Sequence, residues 1–157
     1  SDEILKECLL VLKNFNDDIM TVFKPHNNTD MDKAVAIIES TGYKNYIISY
    51  LHPWLLIKNA KFTFSYTPSG ISVDAHFLGC TTVEYAHYDS RFYKYIKGQS
   101  MYLDSVDFFV HKDTRQLEKV LKELIYNDSK VQREPNKLSD DFPVLSQDEI
   151  KETFCNM

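Results

Sequence analysis

Apolar residues near the start of the chain recur at three- and four-residue intervals: Leu5, Cys8, Leu9, Leu12, Ile19, Met20 and Phe23. That is the spacing of one helix face, and it predicts a helix over residues 2–24. Asn16 interrupts the stripe, and Lys24-Pro25 ends it, because proline disfavours helical geometry in the residue before it. A second helix follows a polar loop. Thr29 or Asp30 caps it, its stripe is Met31, Ala34, Val35 and Ile38, and Gly42 stops it.

The pattern then shortens to alternation. Residues 46–51 are β-branched and aromatic, which suits a strand, and His52-Pro53 interrupts them because proline cannot donate to a ladder. Residues 54–57 resume as an apolar run. In residues 62–67, Phe62, Phe64 and Tyr66 alternate with polar neighbours; Pro68-Ser69-Gly70 turns the chain; and in 71–78, Val73, Ala75 and Phe77 alternate again. Residues 82–88 carry both a capping-box pattern and strand-like Thr, Val and Tyr, and are read as strand. Asp89 or Ser90 caps a short helix that stops at Gly98, residues 103–110 form a further strand, and Asp113 caps a helix with the stripe Leu117, Val120, Leu121 and Leu124. Residues 127–157 are a polar C-terminal segment in which Ser146 to Glu149 cap a short amphipathic helix.

Short turns between strands favour antiparallel pairing. The expected fold is α+β: an antiparallel sheet of about four to five strands, with helices packed on one face, in a single domain over residues 1–126. The βαβ rhythm of a nucleotide-binding sheet reads as absent. Leu9, Leu12, Ile38, Phe64, Val73, Phe108, Leu117 and Leu121 are the expected core.

Composition narrows the function classes. A length of 157 residues suits one domain with its own core. The net charge of −5 disfavours sequence-independent nucleic-acid binding and docking on anionic membranes. No apolar run reaches the ~18 residues of a membrane span, and no signal-peptide pattern is seen. The three cysteines, Cys8, Cys80 and Cys155, form neither a disulfide framework nor a zinc pattern, which points to a reducing, intracellular compartment, cytoplasmic or nuclear. No cofactor is expected: the four glycines form no phosphate loop, and GxSxG and HExxH are missing.

Two constellations remain. If 71–78 and 82–88 form a hairpin with Asp74 opposite His87, alternation puts Asp74, His76, His87 and Asp89 on one face. Carboxylate and imidazole together suit proton transfer or a first-row metal, which is the basis of an alternative reading as a small hydrolase or metal-binding enzyme. A one-residue register shift disperses the set, and the solvated outer face of a half-buried sheet accounts for it better. His87-Tyr88-Asp89-Ser90 is also echoed by His111-Lys112-Asp113-Thr114. Asp stands where the paired-histidine phosphoesterases carry a hydroxyl, and Asp113 has a sufficient task as a helix cap.

The second constellation is aromatic: Tyr85, Tyr88, Phe92, Tyr93, Tyr95 and Tyr102, with Trp54 beside its proline. So many rings exceed what the core takes, and tyrosine at a surface suits a protein interface. Phe62, Phe64 and Tyr66 resemble a base-stacking strand, but core packing explains them better. The expectation is a non-catalytic protein-interaction domain (an adaptor, an inhibitor or a subunit of an assembly) that binds through Trp54, Tyr85, Tyr88, Tyr93 and Tyr95. No motif identifies a family.

Overall fold

The computed structural model describes residues 2–127. The predicted C-terminal helix after Ser146 and the thiol of Cys155 lie outside them. The elements run α1 (Asp2–Leu12), β1 (Thr21–Phe23), α2 (Met31–Thr41), β2 (Tyr46–Ile48), α3 (Pro53–Lys58), β3 (Thr63–Ser65), α4 (Ile71–Phe77), β4 (Thr82–Ala86), α5 (Ser90–Tyr95), β5 (Phe108–His111) and α6 (Thr114–Tyr126). Short 3₁₀ turns occupy Lys13–Phe15 and Leu103–Ser105.

Helices and small sheets are both present, as expected, but the sheets are parallel. β1 pairs with β2, Val22 opposite Ile47, and β3-β4-β5 form a second sheet with β4 in the centre. The predicted antiparallel sheet is therefore overturned. Contrary to the expectation from sequence, the order β1-α2-β2 and β3-α4-β4-α5-β5 contains the βαβ rhythm, because a parallel pair needs a crossover between its strands.

The difference originates at residues 71–78. Alternation of Val73, Ala75 and Phe77 suggests a strand, yet Ile71, Ala75 and Leu78 also fall at helical i, i+4, i+7 spacing, and so short a run satisfies both periods. The helix wins: Ala75 is buried with Ile57 and Cys80, Ile71 and Leu78 pack on that cluster, and Val73 is 46% exposed rather than core. Residues 54–57 are also helical, because Pro53 occupies the first turn of α3, where its missing N–H costs nothing, and His52 Nδ1 accepts from the Trp54 N–H.

The long first helix is corrected too. It ends at Leu12, and Asn16 explains the change of direction. Asn16 Oδ1 accepts from the N–H groups of Lys44 and Asn45 at 3.0 Å each, and Asn45 Nδ2 donates to the Asn16 and Ile19 carbonyls at 2.9 and 2.8 Å. This clamp turns residues 21–23 into a strand beside β2. Likewise Leu103–Ser105 is a 3₁₀ turn, and only Phe108–His111 extends.

The main core joins Leu5, Cys8, Leu9 and Leu12 of α1, Leu117, Leu121 and Leu124 of α6, and Val83, Tyr85 and Val110 of the sheet. Phe64 and Phe108 are half-buried against it. On β4, Val83 and Tyr85 face this core while Thr82, Glu84 and Ala86 point the other way, and all five are buried. Both faces of the sheet are thus covered, not one, as the central strand of a parallel sheet requires. Among the described residues no helix is long and apolar enough to cross a membrane.

Candidate functional site

The carboxyl ends of β4 and β5 carry the echoed tetrads, and topology explains the echo. In each, a histidine closes or follows the strand and the aspartate two residues later caps the next helix. Asp89 Oδ1 accepts from the Arg91 and Phe92 N–H groups at 2.9 and 3.0 Å; Asp113 Oδ1 accepts from Arg115 and Gln116 at 3.0 Å each. The repeat marks two strand-to-helix turns.

From these turns grows a continuous network of rings. Tyr88 meets Phe92 at a centroid distance of 5.1 Å, Phe109 at 5.8 Å and His111 at 6.2 Å. Tyr93 stacks on His111 at 3.9 Å and nearly parallel, 11° between planes, and Tyr95 stacks on Phe92 at 6.4 Å. His111 Nε2 lies 3.1 Å from the Tyr88 carbonyl. Beneath the network Glu84, 0% exposed, accepts from the Tyr88 hydroxyl at 2.8 Å and from Ser100 Oγ at 2.9 Å. Burial and this carboxylate push the Tyr88 phenol above the ordinary tyrosine range.

The network runs from the interior to the surface. Tyr85 and Tyr88 are buried, so neither presents a free contact face; Tyr93 is half-buried on His111; Tyr95 is 83% exposed. A surface depression is lined by Asp89, Ser90, Arg91, Phe92 and Tyr95. Met101 and Leu103 are exposed nearby along the chain. Trp54 lies elsewhere, half-buried on α3 against Phe77 at 5.6 Å.

The Asp/His set does not share a hairpin face, because residues 71–77 are helix α4 and form no hairpin with β4. Asp74 and His76 lie on α4, Asp89 is the cap of α5, and His87 follows β4. The carboxylate beside His87 is Glu7 of α1. Glu7 Oε2 accepts from the Tyr85 hydroxyl at 2.6 Å and lies 2.9 Å from His87 Nε2, with the Tyr85 hydroxyl 3.1 Å from the same nitrogen. A carboxylate has no hydrogen to offer, so the imidazole hydrogen belongs on Nε2. Burial and the Glu7 hydrogen bond raise the Tyr85 phenol as well. Sequence reasoning missed Glu7 and Glu84: Glu7 sits on the flank of a helical stripe, and its partner is 78 positions away.

Among the described residues no group of three or more His, Cys, Asp or Glu side chains could hold a metal ion. Cys8 is buried in α1, and burial pushes its thiol well above the ordinary range, opposite to what a nucleophile needs. No family model matches the chain, and no curated protein or solved structure matches it significantly.

Proposed function

We propose that this chain is a protein-interaction domain, part of an adaptor, inhibitor or larger assembly, whose contact surface is centred on α5. One observation carries the reading: Tyr95 is 83% exposed, yet it stacks on Phe92 in a ring network anchored on buried Glu84. A large ring held over a depression loses little freedom when a partner covers it, and tyrosine is a typical anchor of such contacts. Tyr88 and Tyr93 act from behind, by holding Phe92 and His111 in place. An intracellular setting suits Cys8 and Cys80, neither of which is in a disulfide.

The test is site-specific crosslinking in the cell of origin. A photoreactive residue at position 95 should yield a discrete protein adduct that is weak or missing when the same residue replaces Tyr50, itself 70% exposed. Against the captured partner, Tyr95→Ala should weaken binding about thirtyfold with an unchanged thermal melt. Equal adducts at both positions, or full affinity of the alanine variant, would overturn the reading.

A further inference from the structure

We infer that the α5 face recognises an acidic peptide segment of a partner protein, with carboxylates flanking one large apolar side chain; this rests on the reading just given. The chain as a whole is acidic, with 18 Lys and Arg against 23 Asp and Glu. Residues 90–103 reverse that balance: they contain Arg91, Lys94 and Lys97 and no acidic residue, and these cations alternate with Phe92, Tyr93, Tyr95 and Tyr102. Arg91, Lys94 and Tyr95 fall at i, i+3 and i+4 and so share one side of α5, and Lys97 follows at the helix end in a left-handed conformation, φ 54°.

All three cations are exposed, and among the described residues none forms a salt bridge. The nearest acidic residue in sequence, Asp89, has one carboxylate oxygen committed to two backbone N–H groups as the cap of α5. The face therefore offers hydrated positive charge, without a carboxylate partner among the described residues, around an exposed ring and the depression beside it. Carboxylates placed over the cations, with an apolar side chain against Phe92 and Tyr95, complement both features. A single-stranded nucleic acid fits less well: stacking along a strand uses successive rings, whereas Tyr95 is the one strongly exposed ring of α5, and a chain of charge −5 repels a polyphosphate beyond the patch.

Fluorescence anisotropy on the full chain tests this with a short labelled peptide of glutamates around one phenylalanine. The peptide should bind, and binding should weaken as salt is raised. Arg91→Glu with Lys94→Glu and Lys97→Glu should reduce affinity about tenfold or more, and Tyr95→Ala about thirtyfold. A lysine-for-glutamate version of the peptide should not bind. Should the triple reversal unfold, the milder Arg91→Ala with Lys94→Ala serves, with affinity expected to fall severalfold. No binding at millimolar peptide, affinity indifferent to charge removal, or tighter binding of a single-stranded oligonucleotide of equal charge would each overturn the acidic-segment assignment. The two proposals fail separately. A Tyr95 crosslink to the native partner that survives charge reversal removes the acidic segment and leaves the interaction surface, whereas absence of any Tyr95 adduct in the unaltered chain removes the surface itself.

Discussion

The Tyr88 hydroxyl donates to Glu84 at 2.8 Å, which ties the turn after β4 back to a carboxylate buried within that strand. Ser100 Oγ supplies a second donor at 2.9 Å, from the loop that follows α5. One carboxylate thus fixes both ends of the segment that carries the ring network. A buried charge is tolerated only when its hydrogen bonds are supplied, and here two come from outside the strand.

Removal of that carboxylate should be costly. Glu84→Ala leaves the Tyr88 and Ser100 hydroxyls without their acceptor and should destabilise the fold by roughly 3 kcal/mol, since hydrogen bonds to charged groups are worth about 1.5–3 kcal/mol each. Glu84→Gln keeps an acceptor and should cost distinctly less. Urea denaturation of both variants measures the difference; equal costs would show that the charge is irrelevant.

Alkaline pH should loosen the same region. Tyr85 and Tyr88 are raised above the ordinary phenol range by burial and by Glu7 and Glu84 respectively. The folded state therefore holds these protons more tightly than the unfolded chain. Their contribution is complete below the unfolded value of about 10 and is lost as pH rises through the raised folded values. Each phenol adds at most about 1.4 kcal/mol per pH unit to that fall. Tyr85→Phe with Tyr88→Phe should flatten the loss of stability above pH ~10, read as thermal melts across that range.

The two helix caps should be separable from each other by their effect on the ring network. Asp113→Ala removes the acceptor for Arg115 and Gln116 and should cost about 1 kcal/mol, with Asp113→Asn restoring most of it. Asp89→Ala should cost a similar amount and also disturb Phe92, whose N–H it accepts. Thermal melts, with binding measured beside them, distinguish the pair: only the Asp89 variant should affect partner binding.

Leu121 tests the main core. It is fully buried on α6 among side chains from α1 and the sheet. Leu121→Ala should cost about 2–5 kcal/mol in urea denaturation. A loss within error would contradict the packing of α6 on α1.

Local chemistry by itself determined the parts of this protein that depend on near neighbours. The stripe Leu117, Leu121 and Leu124, the cap Asp113, the caps at Asp30 and Asp89 to within one residue, the left-handed stop at Gly42 and the strand character of residues 82–86 all follow from near neighbours, whereas α5 ends at Tyr95, short of the expected stop at Gly98. Tertiary structure decided what depends on distant partners. A strand shows the same alternation whether its neighbour runs parallel or antiparallel, so the direction of β3, β4 and β5 was set by the crossovers α4 and α5 rather than by any residue in the strands. Residues 71–78 satisfied two periods, and burial of Ala75 against Ile57 and Cys80 chose the helix. The same holds for the site. An excess of rings near Tyr95 was readable from spacing, but the burial of Tyr88 goes with its bond to Glu84, and the partner of His87 is Glu7, brought 80 positions along the chain by packing of α1 on the face of the sheet. A hydrogen bond forms where folding brings two groups within 3 Å or so, and nothing in the order of residues records that distance.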